Sequence, residues 1–479
     1  MHGKHSSSTE HAPADEGRRP WSAMVIALVA QILVVVDISV VNTAMPSIAR
    51  DLHLVNGDLQ WIVAAYLLFS GGGLLLGGRI ADLLPRTKVF LLGMALFTAA
   101  SAVNALAGSA EVLIAGRAAQ GAAAALMTPA ALAIIMTTYS GAQRARGLTL
   151  WGAVGGLGIA AGVTAGGMLT TWASWEAIFW VNVPVGIATL FAAAHLLPRT
   201  RRPAGAVQLD VSGAVTGVGS LAALMFALSG AEAHGWLSVR MITGVVVAAA
   251  LALAFVTIER HAKRPLVHPH TWRISSLVSS TTVMLGITGL LMALVFLASN
   301  FAQTALGYSA LEAGLAFLPL AATLVVGTHL ASHVSTHLPA RAIAALGLAI
   351  VGGGMLVLSN ADHDATYVDH LMPGLAIAGL GAGLVFAAVA GTAMTGIPAE
   401  HAGMASGFLM TGHEIGAALG VAALGSVAAT AGGLTDPVGV VAAFGRGSLV
   451  ACVVAGALAA LAAVWMPAGK ANASAMHLH

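Results

Sequence analysis

The stretch "VVVDISVVNTAMP", residues 34–46, places one carboxylate, Asp37, inside an otherwise apolar run. The surrounding apolar segment is long enough for a membrane-spanning helix, which needs about 20 mainly apolar residues. A charge at the centre of a bilayer costs at least about 2.5–3.5 kcal/mol, so such an acid should face the inside of a helix bundle or a wet cavity. The stretch therefore predicts a membrane protein whose buried acid is either functional or a hydrogen-bonded structural residue.

The composition of the whole chain agrees with a membrane protein. Of its 479 residues 58% are hydrophobic and only 8% are charged, whereas soluble domains carry about 25% charged residues. The net charge of +2 comes without a long basic run, which argues against nucleic acid as a partner. The single cysteine, Cys452, cannot form an intrachain disulfide. The lipid bilayer is thus the predicted surroundings of most of the chain.

A scan for apolar segments of spanning length predicts fourteen transmembrane helices, so the expected fold class is all-α integral membrane. They lie near residues 23–45, 60–80, 88–108, 112–138, 148–170, 176–197, 210–230, 241–260, 276–302, 310–332, 340–359, 370–396, 403–429 and 447–467. With the N-terminus in the cytoplasm, the predicted outer loops hold only Arg50, Arg240 and Arg446, and the inner loops hold the other basic residues of the loops. The excess of basic residues inside predicts cytoplasmic N- and C-termini in the cytoplasmic membrane.

Two features of the sequence recur at equivalent places and predict an internal repeat. "GGRIAD" at 77–82 resembles "GTHLAS" at 327–332, and glycines recur at every fourth residue in the fifth and the thirteenth spans. Transporters are often built from two such repeats around a central site. The predicted domains are a disordered tail (1–22), an N-terminal six-helix bundle (23–200), two inserted helices (201–265), a C-terminal six-helix bundle (266–467) and a second tail (468–479). The glycines of the fifth span, which allow close helix packing, are Gly158, Gly162 and Gly166.

Charged residues inside the spans are the candidates for chemistry. Arg117 shares a helix face with Gln120, and it either tunes Asp37 or forms a purely structural salt bridge. Glu414 is a second proton site, a counter-charge for a cationic substrate in a central cavity, or a structural acid. Asn300 and Gln303, at the outer end of the ninth span, either line the cavity entrance or sit at the membrane interface. A carboxylate that is held away from water can take up a proton from one side and release it on the other, so Asp37 is the predicted coupling residue.

The remaining motifs exclude several function classes. No phosphate-binding loop of the Gly-x4-Gly-Lys-Ser/Thr type is present, which predicts that an ion gradient supplies the energy. Neither a Ser/His/Asp set nor a His-Glu-x-x-His motif supports an enzyme. Three histidines four residues apart (His329, His333, His337) lack a carboxylate or thiolate partner, so no metal and no cofactor is predicted. Asp82, Arg86 and Lys88, on the inner loop after the second span, either orient the chain or form a charge clasp that gates one conformation.

Taken together, these stretches resemble the fourteen-span drug:proton antiporters of the major facilitator superfamily. "VDISVVNTAMPSI" resembles the first-helix motif of that branch, "GGRIADLLPRTK" its inner-loop motif and "RAAQGAAAA" its fourth-helix motif. "GIAAGVTAGGML" resembles the antiporter motif of the fifth helix, and "IFWVNVPVG" the start of the sixth. The resemblance covers residues from about 23 to 467.

The resemblance implies proton-driven export of hydrophobic or cationic drugs and antibiotics by alternating access. Asp37 and Arg117 would couple the proton, while Glu414, Gln120, Asn300 and Gln303 would contact the substrate. Where the antiporter motif usually has a proline, this chain has Val163 after Gly162. An uptake symporter of the same fold therefore stays an alternative, and a non-transporting membrane receptor or scaffold is the alternative from another class.

Overall fold

The protein is a bundle of long helices, seen in a computed structural model. The part of the chain that the structure describes contains helices and connecting turns but no β-strand, which confirms the predicted all-α class. The described residues are 21–54, 56–197, 210–229, 231–262, 265–266, 271–335, 337–362, 365–395, 397, 402–434 and 436–468.

Fourteen long helices lie within these residues, each overlapping one predicted span. They are α1 (Ser22–Asp51), α2 (Asn56–Leu83), α3 (Arg86–Ala105), α4 (Ala110–Thr138), α5 (Gly141–Trp172), α6 (Ala177–Leu196), α7 (Val211–Ser229), α8 (Val239–His261), α9 (Ser275–Thr304), α10 (Ala310–Val334), α11 (Ala340–Ser359), α12 (Tyr367–Ala393), α13 (Ala402–Ala429) and α14 (Pro437–Trp465). Twelve of them are long and apolar enough to cross a membrane, and α2 and α5 are the other two. Helices suit a bilayer because each backbone polar group finds its partner inside the same segment.

The last helix begins ten residues before the predicted span, which corrects the placement of Arg446. The Asp436 side chain accepts a hydrogen bond from the Gly439 amide at 2.6 Å, and Pro437 follows as the first helical residue. These are the normal start signals of a helix. Arg446 therefore lies inside α14 and not in an outer loop. A scan for hydropathy alone starts the span after this arginine, whereas the capping residues start the helix before it.

The helices of the two predicted bundles pack in the same pairs. In the N-terminal half, α1 packs along α5, α2 along α4, and α3 along both α4 and α6. In the C-terminal half, α9 packs along α13, α10 along α12, and α11 along both α12 and α14. Each C-terminal pair corresponds to an N-terminal pair after a shift of eight helices. The packing thus follows the internal repeat that the sequence motifs predict, while the exact domain boundaries stay a prediction.

The glycines at every fourth position lie where two helices touch in each half. A Cβ atom built on Gly166 of α5 would lie 2.6 Å from the carbonyl oxygen of Val40 in α1. A Cβ atom on Gly420 of α13 would lie 2.1 Å from the carbonyl oxygen of Gly289 in α9. The other glycines of the two rows make similar approaches to the same neighbouring helices; they are Gly158, Gly162, Gly412 and Gly416. The missing side chains at these positions allow the helices to approach each other closely.

Within the described residues, the two halves meet where α2 packs along α13, where α5 packs along α10, and where α1 contacts α9 and the start of α10. We call the end of the bundle at which α1 ends the outer end. Near it, the Ser299 hydroxyl of α9 donates to the carbonyl oxygen of Asn42 in α1 at 2.8 Å. On the other side, the amide of Leu311 in α10 donates to the Thr171 hydroxyl of α5 at 3.3 Å. The halves are thus hydrogen-bonded to each other at the outer end.

The two inserted helices, α7 and α8, pack on each other, and α7 also covers the line along which α2 and α13 meet. The Ser426 hydroxyl of α13 donates to the carbonyl oxygen of Leu228 in α7 at 2.6 Å and lies 3.1 Å from the side-chain oxygen of Gln60 in α2. One hydroxyl group therefore connects both halves to the inserted helices. Along α8 most side chains are exposed, and most of the exposed side chains are apolar, as on the surface of a helix in contact with lipid.

Glycine-to-alanine substitutions should separate the packing glycines from the others. We expect Gly166→Ala and Gly420→Ala to lower the midpoint of thermal unfolding, because overpacking a close contact costs about 1–3 kcal/mol. Gly456→Ala in α14, where a Cβ atom would meet nothing within 4 Å, should leave the midpoint unchanged or raise it. Thermal unfolding of the three purified variants in detergent measures this, and equal midpoints would contradict the assigned contacts.

Candidate functional site

Asp37 lies inside the N-terminal half, and both oxygen atoms of its carboxylate accept hydrogen bonds. Asp37 is 0% exposed and forms a salt bridge with Arg117 of α4, which is 1% exposed. The second carboxylate oxygen, Oδ1, accepts a hydrogen bond from Gln120 Nε2 at 3.1 Å and one from Asn182 Nδ2 at 2.9 Å. The charge on α1 is thus balanced by a cation and two amides from α4 and α6. A buried charge needs such pairing and hydrogen bonding to be tolerated.

The side chain of Gln120 is itself held in place by α3. Its Oε1 atom accepts hydrogen bonds from Arg117 Nη1 at 2.8 Å and from the side-chain amide of Asn104. Its Nε2 atom also donates to the Ser101 hydroxyl at 2.8 Å. Ser101 and Asn104 are fully buried and lie on one face of α3. These hydrogen bonds from α3 fix which end of the Gln120 amide points at Asp37.

The guanidinium group of Arg117 has a further set of partners on α2. Its Nε atom donates to the carbonyl oxygen of Ile62 at 3.3 Å. Its Cζ atom lies 4.4 Å from the centre of the Tyr66 ring and 5.9 Å from that of Phe179. Both distances allow attraction between the cation and the aromatic ring. Five helices of the N-terminal half, α1, α2, α3, α4 and α6, therefore meet around one ion pair.

The local sequence of α4 explains why this arrangement forms. Arg117 and Gln120 are three residues apart and therefore share one face of the helix. Gly121 follows, and a Cβ atom there would lie only 2.2 Å from the carbonyl oxygen of Tyr66. The absence of a side chain at this position lets α2 approach α4 closely enough to cover the arginine. The face of α4 that carries Arg117, Gln120 and Gly121 is thus the surface against which the ion pair is packed.

Four residues of this site were not predicted from the sequence. They are Tyr66, Ser101, Asn104 and Asn182. Each is a polar or amphipathic residue inside an apolar span, and each is at most 2% exposed. A search for every polar residue in the spans would have included them among the candidates. Such a search cannot say which of them meet, because they come from three different helices.

Glu414 of α13 lies at the contact between the two halves. Its Oε2 atom accepts a hydrogen bond from the Ser70 hydroxyl of α2 at 2.9 Å. Its Oε1 atom lies 3.6 Å from His413 Nδ1, and the two side chains are 15% and 33% exposed, respectively. A Cβ atom on Gly71 would lie 2.3 Å from the Glu414 Cβ atom. The structure therefore places this acid between the halves and apart from the ion pair of Asp37.

The remaining residues predicted to contact substrate occupy different places. Gln120 belongs to the network around Asp37 and is fully buried. Asn300 is 2% exposed and donates to the carbonyl oxygen of Phe296 on its own helix at 2.7 Å. Gln303 donates to the Ser299 hydroxyl at 3.1 Å, beside the contact of α9 with α1. A role of these side chains in substrate binding stays a prediction.

The predicted gating residues fall at the inner end of α2 and the start of α3. Arg86 is the first residue of α3 and is partly buried, and Lys88 is exposed. The side chain of Asp82 lies outside the described residues, so the proposed charge clasp stays a prediction. The glycines Gly158, Gly162 and Gly166, in contrast, all face α1 along the contact described above.

Of the three histidines near the end of α10, His329 and His333 bond along their own helix, and His337 follows the end of the helix. His329 Nδ1 lies 2.9 Å from the carbonyl oxygen of Val325, and His333 Nδ1 lies 2.9 Å from that of His329. Among the described residues no group of three or more His, Cys, Asp or Glu side chains is arranged to hold a metal ion.

The sequence of the chain was compared with those of known proteins and protein families. The sequence profile of the Major Facilitator Superfamily matches residues 27–209 and 211–421. The chain is 36% identical over 428 residues to the puromycin resistance protein pur8 of Streptomyces alboniger, covering 87% of this chain and 84% of that protein. It is 38% identical over 407 residues to the cephamycin export protein CmcT of Amycolatopsis lactamdurans, with 84% of each chain covered.

Among solved structures, the chain is similar to the crystal structure of the peptide transporter POT in complex with sulfate. The TM-score is 0.67 over 94% of this chain and 96% of the other, at 14% sequence identity. Because the identity is so low, this similarity concerns the fold alone.

The effects of substituting Asp37 and Arg117 on the thermal unfolding midpoint should not be additive. We expect Arg117→Met to lower the thermal unfolding midpoint strongly, because leaving one buried charge unpaired costs about 3–5 kcal/mol. The double variant Asp37→Asn/Arg117→Met should recover part of this loss, since no unpaired charge is left. Thermal unfolding of both variants and of Asp37→Asn in detergent tests the coupling. Strictly additive losses would show that the two side chains do not depend on each other.

Proposed function

The chain belongs to the Major Facilitator Superfamily, and on that premise we propose that it exports antibiotics or related drugs from the cell in exchange for protons. The relatives that are a puromycin resistance protein and a cephamycin export protein support export as the direction of transport. Transport, and not chemical conversion of the substrate, is the proposed activity. The proposed partners are a small hydrophobic or cationic drug, protons and the lipid of the cytoplasmic membrane.

The observation that carries proton coupling is the buried pair of Asp37 and Arg117. Protonation of Asp37 would cancel its charge and leave the guanidinium group of Arg117, which is 1% exposed, without its counter-ion. A buried charge without a partner costs several kcal/mol, so protonation would favour a rearrangement of α1 against α4. A proton that moves inward down the membrane potential supplies about 2.3 kcal/mol per 100 mV. The two energies are of the same order, which is what coupling requires.

The outer contacts support a mechanism of alternating access. The hydrogen bonds that join α1 to α9, α5 to α10 and α2 to α13 would hold the outer end closed in this conformation. Transport would break these contacts and open the outer end while the two halves rock about the central region. Gln120 and Asp37, which are fully buried, would respond to the proton, and Glu414, which is partly exposed, would face the substrate.

We propose further that all fourteen long helices cross the membrane, with both termini in the cytoplasm. The basic residues of the sequence, which are concentrated on one side when the helices alternate in direction, support this orientation. Twelve of the helices satisfy the requirements of length and hydropathy, and α2 and α5 are also long enough to span a bilayer. These lengths support fourteen transmembrane helices.

Loss of the Asp37 carboxylate should abolish coupled export. We expect Asp37→Asn to lose resistance to puromycin and other exported compounds in a pump-deficient host, because asparagine cannot take up and release a proton. The matched control is Glu111→Gln, which removes an acid at the exposed start of α4 and should keep full resistance. Equal resistance of wild type and Asp37→Asn to every compound would contradict the role of Asp37.

The direction of transport is tested in intact cells and in sealed vesicles. An exporter lets a compound accumulate in cells only after an uncoupler removes the proton gradient, whereas an uptake symporter accumulates it while the gradient is present. In vesicles, flux of the compound should follow the imposed pH difference. Flux that is indifferent to the pH difference would rule out proton coupling.

A further inference from the structure

The two acids inside the bundle have opposite surroundings. Asp37 is fully buried and bound by a guanidinium group and two amides. Glu414 is 15% exposed, accepts one hydrogen bond from a hydroxyl group and lies near a histidine. Within the described residues, no arginine or lysine forms a salt bridge with Glu414. The negative charge of Glu414 is therefore the one that an organic cation could still neutralise.

The hydroxyl group that holds Glu414 belongs to the opposite half of the protein. Ser70 is 4% exposed, and its Oγ atom lies 2.9 Å from Glu414 Oε2 and 3.3 Å from the carbonyl oxygen of Leu67 in its own helix. Next to it, Gly71 allows the backbone of α2 to lie directly against Glu414. The hydrogen bond thus spans the contact between α2 and α13 at a point where the two helices are in close approach.

This contact is one helical turn away from the ion pair. Tyr66 and Ser70 are four residues apart on α2 and lie on the same face. The Tyr66 ring lies against Arg117, while the Ser70 hydroxyl reaches Glu414. A Cβ atom on Gly121 of α4 would lie 3.0 Å from the amide nitrogen of Ser70, so α4 packs against the backbone of α2 at this turn. A shift of α2 at Ser70 would therefore also move Tyr66, whose ring contacts Arg117.

We propose that Ser70 is a positioning residue for Glu414. Its hydroxyl group holds the carboxylate at the contact between the halves by a hydrogen bond, until a cationic substrate binds the carboxylate in place of the hydroxyl group. The inference rests on the proposed function and narrows its substrate class to drug-sized organic cations. The incoming cation competes with the serine for the same oxygen atoms. Loss of the hydrogen bond then releases α13 from α2, which links arrival of the substrate to separation of the halves.

The second hydroxyl contact between the same two helices provides a control. Ser426 of α13 lies 3.1 Å from Gln60 of α2, but it touches no acid. Removing it should weaken the contact between the helices equally for every substrate. Removing Ser70 should weaken this contact in the same way and should in addition favour cations, because its hydroxyl group competes with them for a carboxylate.

The test measures export by wild type, Ser70→Ala, Glu414→Gln, the double variant and Ser426→Ala in proteoliposomes. Ethidium and puromycin serve as cationic probes and chloramphenicol as a neutral one. We expect Ser70→Ala to lower the ratio of KM for the cations to KM for chloramphenicol by about fivefold, the size of one net hydrogen bond. In the Glu414→Gln background the same serine substitution should leave this ratio unchanged, because the glutamine carries no negative charge for a cation to bind. Ser426→Ala should not change the ratio of the KM values.

Three outcomes would overturn the inference while leaving the export function intact. The first is an equal change of KM for cationic and neutral probes in Ser70→Ala, which would show a structural role only. The second is a change of the KM ratio in Ser70→Ala that persists in the Glu414→Gln background. The third is a wild-type protein that exports chloramphenicol but neither cation. A wild-type protein that exports none of a wider panel of antibiotics would instead contradict the proposed function itself.

Discussion

The salt bridge between Asp37 and Arg117 is the interaction on which the N-terminal half depends. Both side chains are buried where an isolated charge would cost several kcal/mol, and α2, α4 and α6 contribute groups that compensate the charges. Gln120 and Asn182 donate to the carboxylate, and Tyr66 covers the guanidinium group. The small residues of α4 then allow these helices to come close enough. An electrostatic requirement thus determines how five helices pack.

The two halves share their packing but not their chemistry. Glycines at equivalent positions hold α5 against α1 and α13 against α9. The acid of the N-terminal half, Asp37, is nevertheless sealed by an arginine, whereas Glu414 in the C-terminal half is partly exposed and bound by a hydroxyl group. One backbone plan used twice therefore holds two acids in different surroundings. The proposed exchange of a proton for a larger cation would use this difference.

The amino-acid sequence by itself determined the all-helical class, the positions of the helices and the residues that would carry charge. Apolar length identifies a span, because a bilayer imposes that length on any helix that crosses it. A charge inside such a span, as at Asp37, Arg117 or Glu414, stands out for the same reason. The glycine rows around Gly162 and Gly416 also show which helix faces pack closely. All of these signals are local, and each can be read within a single segment.

The tertiary structure alone decided which of these residues meet. Asp37 and Arg117 are 80 residues apart in the chain, and Ser70 and Glu414 are 344 apart. Their pairing depends on the crossing of separate helices, and no spacing within one segment encodes it. The same holds for Asn182, which looks like any polar residue near a helix start until α6 is placed beside α1. Burial then gives these contacts their strength, because hydrogen bonds and charges count for more where water is excluded.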